Sequence, residues 1–300
     1  MSKSAITINH KQLLVSNLSK ELYPAYGFTK AHVLEYYGSI APFILPHLND
    51  RAVTLKRYPN GTEQDYFYLK RCPPHPTWVQ TATIPYGTKN QLTACMVNNL
   101  ETLIWTQNLA SLELHVPQSH AALPTKADSV VFDLDPGEKV DVLDCVKVAV
   151  ILRDMLLKLK LDSCVKTSGK KGLHVFVPLV PKIYGFDETK TFSKAIAQIV
   201  QKNYPDLVTT TMAKENRIGK VFINWSQNDA SKTMVCVYSL RAGEKPFASC
   251  PLTWPELERL AKVKKTEGFQ FLCSEVVTRA EKMGDLFHEM LDKKQKLPHL

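Results

Sequence analysis

Two aspartates near the middle of the chain carry the clearest chemical signal. Asp133 and Asp135 end a short apolar run, residues 130–135, which Pro136 and Gly137 stop. Because side chains two residues apart on a strand point to the same face, the two carboxylates should stand side by side. Their repulsion makes burial costly without a counter-charge, which a pair of Mg²⁺ or Mn²⁺ ions supplies in phosphoryl-transfer sites. The alternative interpretation is a solvated strand end with two surface acids.

A basic, glycine-bounded loop at residues 168–174 is the second chemical feature. It carries Ser168, Lys171 and His174 between expected strands at residues 165–167 and 173–179. Free backbone N–H groups, a hydroxyl and ammonium groups suit a triphosphate. The spacing is not that of a P-loop. Taken alone, the loop also fits an exposed basic turn, with His174 as a buried core histidine.

Other catalytic classes lack their motifs. The sequence has no GxSxG, HExxH or GxGxxG pattern, and His288 has no second histidine at metal-ligand spacing. The seven cysteines are odd in number, widely spaced and never in a CxxC pair. This usage predicts a reducing, cytoplasmic environment and argues against a disulfide scaffold or a zinc ribbon. No apolar run approaches the length of a membrane span, so no membrane partner is expected.

The elements that must position these residues alternate between strands and helices. The strongest strand signals fall at residues 52–58, 66–69, 130–135, 221–225 and 234–238. Helices are expected from Thr29 toward Pro42, over residues 100–108 and 142–159, from an Asp187 cap through residue 200, and from Thr253 and Ser274. This alternation predicts an α/β fold with mixed β-sheets flanked by helices around a central cleft. The prediction is a single catalytic domain over residues 1–300, with C-terminal helices at about 253–292 and a short basic tail.

The charge balance favours a polyanionic partner. The 38 Lys and Arg exceed the 29 Asp and Glu, which gives a formal net charge of +9. Basic side chains that neutralise phosphates release condensed counterions, so this balance is typical of proteins that bind nucleic acid.

Several separated motifs share one order with a known family. They are residues 17–20, 56–61, 112–115, 132–137, 168–174, 225–228 and 238–241. In this order the chain, over roughly residues 13–260, resembles the polymerase domain of bacterial ligase D and its stand-alone relatives, which belong to the archaeo-eukaryotic primase superfamily. The resemblance implies a primase-type fold around a central active-site cleft.

The resemblance also implies an activity and its partners. The activity is a template-directed nucleotidyl transferase that fills gaps and extends ends in non-homologous end joining, with a preference for ribonucleotides and often for Mn²⁺. The substrates are DNA with gaps, breaks or 3′ overhangs and an NTP or dNTP. Since no ligase or nuclease segment is recognisable, a separate DNA ligase and a Ku-like protein are the expected partners.

Residue roles follow from the resemblance by matched position. Asp133 and Asp135 match the aspartates that hold two metal ions. The nucleotide-contacting positions are matched by His115, Ser168, Lys171, His174, Arg217, Gln227 and Arg241. The lysines that hold a 5′-phosphate are matched by Lys20, Lys30 and Lys56. Phe67 and Tyr68 match an aromatic pair that stacks on template bases, an interaction that tolerates any sequence. Without the resemblance, this pair is two adjacent strand residues with one ring in the core.

One position departs from the family. The third metal carboxylate of the catalytic set is matched by Asn224, which offers a carbonyl oxygen but no charge. Natural divergence, an engineered substitution and loss of catalysis are all compatible with this residue. Two further functions therefore stand beside the polymerase: a module that bridges DNA ends without extending them, and a primase or translesion enzyme of the same superfamily. Charge repulsion alone also predicts that removing Asp133 raises thermal stability.

Overall fold

Short strands and longer helices alternate along the chain, and the computed structural model describes them over residues 3–87 and 89–298. In chain order the strands are β1 (Lys3–Ile8), β2 (Lys11–Ser16), β3 (Glu21–Tyr23), β4 (Phe28–Thr29), β5 (Thr54–Arg57), β6 (Phe67–Leu69), β7 (Thr81–Tyr86), β8 (Asn90–Cys95), β9 (Glu113–Val116), β10 (Ser129–Pro136), β11 (Cys164–Thr167), β12 (Leu173–Pro178), β13 (Val208–Thr209), β14 (Val221–Asn224), β15 (Met234–Val235), β16 (Phe247–Ala248), β17 (Pro251–Leu252) and β18 (Phe271–Leu272).

The helices are α1 (Lys30–Leu48), α2 (Leu100–Asn108), α3 (Val142–Lys158), α4 (Phe186–Asn203), α5 (Trp254–Val263), α6 (Cys273–Met283) and α7 (Glu289–Asp292). None of these helices, within the described residues, is long and apolar enough to cross a membrane. The predicted α/β class with mixed sheets and flanking helices is confirmed.

The chain divides into two compact units, each assembled from three separate segments. The first unit comprises Met1–Pro117, Thr233–Ser249 and Phe271–Asp285. The second unit comprises Gln118–Lys232, Cys250–Gln270 and Leu286–Leu300. The sequence predicted one domain because no linker composition marks a boundary, and both units draw on segments that are distant in sequence.

In the first unit, a four-stranded sheet has the order β15-β9-β5-β6, so β6 lies at an edge. Helix α1 packs against α2 and α6. The helix was expected to end near Pro42, but it continues through Pro42 and Pro46 to Leu48. Its buried residues Ile40, Ile44 and Leu48 extend across both prolines. Tertiary burial of this face therefore outweighs the helix-breaking tendency of proline.

In the second unit, a six-stranded sheet has the order β13-β14-β10-β12-β11-β17. Strand β13 pairs parallel to β14, and the other neighbours are antiparallel. Helices α3 and α4 both contact the central strand β10, which is buried from Ser129 to Leu134. A strand covered in this way reads as a continuous apolar run, which explains the sequence signal at residues 130–135.

Local capping explains where several helices begin. Thr29 precedes α1 as predicted, and the Thr253 hydroxyl accepts from the Glu256 backbone N–H at 3.2 Å at the start of α5. Two predicted starts are shifted. Helix α4 begins at Phe186 after Gly185, so Asp187 lies within its first turn, and α6 begins at Cys273, one residue before Ser274.

The cysteines differ in part from the sequence expectation. Cys72 and Cys95 form a disulfide, whereas Cys145, Cys164, Cys236, Cys250 and Cys273 are buried and form no disulfide. The Cys72 backbone N–H donates to the Thr93 carbonyl at 2.8 Å, which brings Cys72 alongside β8. The pairing depends on this tertiary contact across 23 residues of sequence, so the spacing of the cysteines did not reveal it.

Candidate active site

Four polar side chains form one row across the second unit's sheet. Strand register places Asn224 directly opposite Asp133, Asp133 opposite His174, and His174 opposite Lys166. Directly opposed residues on neighbouring strands share a face, so the four side chains project together. We call Asn224, Asp133, His174 and Lys166 the polar row. It combines three predicted site residues, Asp133, His174 and Asn224, with a lysine that the sequence did not single out.

Asp133 is the acceptor at the centre of the polar row. Its Oδ1 lies 3.3 Å from His174 Nε2, and its Oδ2 accepts from Asn224 Nδ2 and Gln227 Nε2, both at 3.2 Å. Burial would raise the pKa of Asp133, but the hydrogen bond from His174, and then those from the Gln227 and Asn224 amides, hold it below its usual range. The carboxylate is therefore kept ionised although it is buried.

Asn224 already has a partner for each end of its amide. Besides the Nδ2 bond to Asp133, its Oδ1 accepts from the Ser226 hydroxyl at 2.8 Å. Lys232 Nζ donates to the same Ser226 oxygen at 2.8 Å. Asn224 thus acts as a donor toward Asp133, and its carbonyl oxygen is turned toward Ser226. Ser226 and Lys232 have no counterpart among the predicted site residues.

Asp135 lies two residues along β10, on the face that carries Asp133. It is exposed and stands opposite Phe222 of β14. The Arg217 guanidinium lies over the Phe222 ring, 3.7 Å from its centroid, and donates to the Met212 carbonyl. The structure therefore places Arg217 beside β14, the strand that neighbours Asp135.

The Ser168 loop is organised by its own hydroxyl. Ser168 Oγ accepts from the backbone N–H groups of Lys170 and Gly172 at 3.2 and 3.1 Å, and Gly169 has a φ of +69°. The side chains of Lys170 and Lys171 are exposed. The loop thus presents two ammonium groups from a fixed turn, next to His174 of the polar row.

Gly172 allows the loop to approach β10 closely. A Cβ atom there would lie 2.2 Å from the Leu134 carbonyl oxygen and 3.6 Å from Asp135 Oδ1. We therefore expect Gly172→Ala to lower the free energy of unfolding by about 1–3 kcal/mol, the usual cost of overpacking. Thermal unfolding is the measurement, with Gly38→Ala in α1 as the control because open space surrounds Gly38. Equal melting temperatures for Gly172→Ala and the unmodified protein would contradict this packing.

Asn228 fixes the turn that carries Gln227. Its side chain accepts from the Val131 N–H at 2.8 Å and donates to the Val131 carbonyl at 2.7 Å and to Ser193 Oγ at 3.0 Å. Asn228 is 1% exposed, so protein groups rather than water satisfy the hydrogen bonds of its amide. Its position in the motif at residues 225–228 was visible in the sequence, but the positioning role required the structure.

In the first unit, Glu113 is the buried centre of a second polar group. His115 Nε2 and Arg241 Nε lie 2.9 and 3.3 Å from Glu113 Oε2. Lys56 Nζ lies 3.4 Å from Oε1, to which the Tyr58 hydroxyl donates at 3.1 Å. Burial would raise the pKa of Glu113, but His115, Arg241 and Lys56 hold it well below its usual range. The sequence placed Glu113 inside a motif without giving it a role.

The charges of this group leave one net positive charge. Burial lowers the pKa of His115 although the hydrogen bond that its Nε2–H donates to Glu113 opposes this shift, so the neutral imidazole is favoured at pH 7. With His115 neutral, the two cations Lys56 and Arg241 face one carboxylate, which leaves one positive charge. Such an excess suits an anionic ligand such as a phosphate.

A separate cation group gathers near the start of α1. Lys30 is 5% exposed and donates to the Ser16 carbonyl at 2.7 Å, while Lys20 donates to Asn60 Oδ1 at 3.1 Å. Burial, and then the positive charges of Lys20 and Arg57, lower the pKa of Lys30 to about 8. We call Lys20, Lys30 and Arg57 the cation group.

Lys56 lies beside Glu113 and not in the lysine group that the family resemblance implied. It was grouped with Lys20 and Lys30, but its ammonium is buried against Glu113 and lies 4.0 Å from the centroid of the Tyr66 ring. Consecutive strand residues face opposite sides, so Arg57 points away from Lys56 and takes its place beside Lys30. The register of β5 therefore turns Lys56 toward Glu113 and Arg57 toward Lys30.

Phe67 and Tyr68 are both exposed on the edge strand β6, at 43% and 54%. Arg57 lies over Phe67, with its guanidinium carbon 5.1 Å from the ring centroid, and Tyr68 meets His115 edge-to-face at 5.8 Å. The interpretation that one of the two rings fills the core is therefore wrong.

The carboxylate oxygens of β10 suit a hard divalent cation, although they are few. Asp133 and Asp135 offer carboxylate oxygens, the ligands that Mg²⁺ and Mn²⁺ prefer. Among residues 3–87 and 89–298, no cluster of three or more Asp, Glu, His or Cys is placed to hold a metal ion. The two carboxylates fit such an ion, and a third protein ligand would require the Asn224 amide to turn its oxygen away from Ser226.

Comparisons with known proteins identify one family. Residues 29–287 match the family described as LigD, primase-polymerase domain. The chain is 38% identical over 280 residues to a multifunctional non-homologous end joining protein LigD of Mycolicibacterium smegmatis, covering 92% of this chain and 36% of that protein. It is 30% identical over 290 residues to the bifunctional LigD protein of Bacillus subtilis, covering 96% of this chain and 46% of that protein.

A solved structure is also similar. It is the polymerase domain from Mycobacterium tuberculosis ligase D in complex with DNA, with a TM-score of 0.85 and 35% sequence identity. The alignment covers 94% of this chain and 98% of that one. The chain thus aligns with nearly all of that solved domain but spans less than half the length of the curated relatives named above.

Proposed function

The chain belongs to the LigD primase-polymerase domain family, and from this premise we propose that it is a template-directed nucleotidyl transferase. It would fill gaps and extend ends during DNA double-strand break repair by non-homologous end joining. The observation that carries the proposal is Asp133, a buried carboxylate held ionised at the centre of the polar row, with Asp135 two residues along the same strand.

We propose that Asp133 and Asp135 hold two ions, Mn²⁺ or Mg²⁺. When bound, these ions would neutralise the triphosphate and favour ionisation of the primer 3′-hydroxyl. His174 and Gln227 keep the Asp133 carboxylate ionised and oriented, so it is prepared for a cation without rearrangement. Asn224 supplies no charge, which leaves Asp133 and Asp135 as the acidic ligands of the proposed site.

We assign the triphosphate of the nucleotide to basic groups of the second unit. In the second unit, the exposed Lys171 and the fixed Ser168 turn suit a triphosphate, with Arg217 on the neighbouring strand. In the first unit, His115 and Arg241 belong to the Glu113 group, whose net positive charge suits a phosphate. Preferences for ribonucleotides and Mn²⁺ are part of the proposal by family resemblance.

We assign the DNA to the first unit. The cation group of Lys20, Lys30 and Arg57 suits a terminal 5′-phosphate, which carries more charge than an internal one. Phe67 and Tyr68 expose aromatic faces on which unpaired template bases would stack. The DNA substrates are gaps, breaks and 3′ overhangs, and a DNA ligase and a Ku-like protein are the proposed partners.

Primer extension tests the proposed activity. A duplex with a short gap and a recessed 5′-phosphate is incubated with one NTP or dNTP and either Mn²⁺ or Mg²⁺. We expect addition directed by the template base, faster with NTP and with Mn²⁺. Addition that ignores the template, or no addition with any nucleotide and metal, would contradict the proposal.

The cation group gives a prediction with a pH signature. Lys20→Ala or Lys30→Ala should each weaken binding of a 5′-phosphorylated gap by about tenfold, since each removes a charge-assisted hydrogen bond. Because the pKa of Lys30 is about 8, the preference for the phosphorylated gap should be full near pH 7 and decline as the pH rises toward 9. Lys30→Arg should keep the preference at the higher pH, because arginine stays protonated.

Fluorescence anisotropy with matched phosphorylated and unphosphorylated gaps measures this preference. Lys158→Ala, an exposed lysine on α3, is the control for a general loss of one charge. Equal binding of both gaps by the unmodified protein would contradict the assignment of the cation group to a 5′-phosphate, independently of the results for the variants.

A second function is favoured by one observation, the orientation of Asn224. Its amide donates to Asp133, so the third carboxylate of the family's metal set is replaced by a donor. We propose as the alternative a module that binds and bridges DNA ends without extending them. Bridging of two labelled ends, measured by energy transfer in reactions that show no extension, would favour this alternative.

A further inference from the structure

A buried lysine at one end of the polar row takes no part in the roles proposed above. Lys166 lies on β11 and is 1% exposed. Its Nζ is 2.9 Å from His174 Nδ1 and 5.8 Å from the centroid of the Phe176 ring. On the other side of the same imidazole, Nε2 is 3.3 Å from Asp133 Oδ1. His174 is therefore held at both ring nitrogens.

The donors and acceptors around His174 determine which of its ring nitrogens carries the proton. An ionised carboxylate only accepts hydrogen bonds, so Nε2 beside Asp133 must bear a hydrogen. An ammonium group only donates, so Nδ1 beside Lys166 must be the acceptor. A neutral imidazole satisfies both neighbours only as the Nε2–H tautomer. The hydrogen bond at one ring nitrogen generally sets the state of the other.

Strand pairing keeps this arrangement in place. Lys166 is directly opposite His174, and His174 is directly opposite Asp133, so the three side chains cannot exchange neighbours without a register shift. A buried ammonium is costly, and an apolar side chain at this position would pack without that cost. Packing alone therefore does not account for a lysine here.

We infer that Lys166 is a positioning residue: it holds His174 as the Nε2–H tautomer, with Nε2 donating to Asp133. The imidazole then steadies one carboxylate oxygen, as the outer partners of ligand groups commonly do. The effect on nucleotide addition rests on the proposed function, whereas the tautomer itself does not.

Nitrogen NMR of protein labelled with ¹⁵N-histidine tests the tautomer directly. His174→Gln identifies the His174 signals by their absence, and the exposed His10 is the internal reference for a ring in averaged states. At pH 8 we expect a protonated Nε2 and an unprotonated Nδ1 for His174, without averaging. A protonated Nδ1, or signals averaged like those of His10, would overturn the inference without any variant at Lys166.

Variants connect the tautomer to turnover. Lys166→Met removes the donor at similar length, and we expect averaged His174 signals and a single-turnover extension rate lowered by about 10- to 100-fold. DNA affinity should be unchanged, and Lys166→Arg, which restores a donor, should recover part of both readouts. Lys158→Met is the control for the loss of an exposed lysine.

The outcomes separate this inference from the proposed function. If Lys166→Met kept a single tautomer and an unchanged rate, or if Lys166→Arg recovered neither readout, the positioning role would be overturned. If the unmodified protein extended no primer, the proposed function would fail, and the NMR result would still decide the tautomer.

Discussion

Replacing Asp133 by alanine should lower the single-turnover rate of nucleotide addition by at least about a thousandfold, or about 4 kcal/mol of barrier. Asp133 is the central acceptor of the polar row and one of the two carboxylates of the proposed metal site. DNA affinity should stay within about twofold, because the cation group and the exposed aromatic pair belong to other elements. Rapid-quench extension and anisotropy measure the two quantities.

Asp206→Ala is the matched control, since Asp206 is an exposed aspartate of the same unit. It should leave both quantities unchanged. A normal extension rate for Asp133→Ala would show that the assignment of the metal site is wrong.

The same substitution should change the stability in the direction opposite to that expected from charge repulsion alone. The pKa of Asp133 in the folded protein lies below its usual range, so its ionised form stabilises the fold above the unfolded-state pKa of about 4. This contribution is lost as the pH falls through the folded-state pKa. Asp133→Ala should therefore lower the free energy of unfolding at pH 7 by about 1–3 kcal/mol, and with it the melting temperature. Near pH 3 the decrease should be smaller. Repulsion alone predicted a gain.

Asn224→Asp should raise the extension rate by at least about tenfold, or about 1.4 kcal/mol of barrier. The substitution adds the third carboxylate, and the gain should be largest at low Mn²⁺ concentration, with nucleotide affinity little changed. Without divalent ions the new carboxylate would lie where Asn224 Nδ2 now stands 3.2 Å from Asp133 Oδ2. Repulsion should then lower the melting temperature, and Mn²⁺ should raise it more than in the unmodified protein.

Single-turnover extension across a Mn²⁺ titration is the measurement, with thermal unfolding in parallel. Asn203→Asp, an exposed change of the same charge on α4, is the control. Equal rates at every Mn²⁺ concentration would mean that Asn224 serves as well as a carboxylate. In that case the orientation of Asn224 would no longer support the end-bridging alternative.

Local signals explain what the sequence predicted well. Helix α2 has the predicted bounds, Leu100–Asn108, because Asn99 caps it and accepts from the Thr102 N–H at 3.0 Å. The aspartates of β10 and the Ser168 turn were visible because a buried strand and a glycine turn have short-range patterns. The order of the motifs carried the family resemblance, and the comparisons confirm the family.

What the sequence did not predict depends on pairing between distant segments. The contact between Lys166 and His174 requires the register of β11 on β12, and the Glu113 group requires that of β5 on β9. The placement of Lys56 against Glu113, rather than beside Lys30, follows from the same register. Because side chains alternate along a strand, a register shift of one residue moves every side chain to the opposite face of the sheet. The sequence patterns here did not fix that register.

The central claim is that Asp133 and Asp135 hold the ions of a nucleotidyl transfer site. Anomalous diffraction at the manganese edge, from crystals with gapped DNA, a non-hydrolysable nucleotide and Mn²⁺, tests it most directly. We predict manganese within ligand distance of both carboxylates, full occupancy for the ion beside the triphosphate, and lower occupancy for the ion beside the primer terminus, where Asn224 adds no charge. Manganese peaks elsewhere, with neither carboxylate as a ligand, would contradict the account.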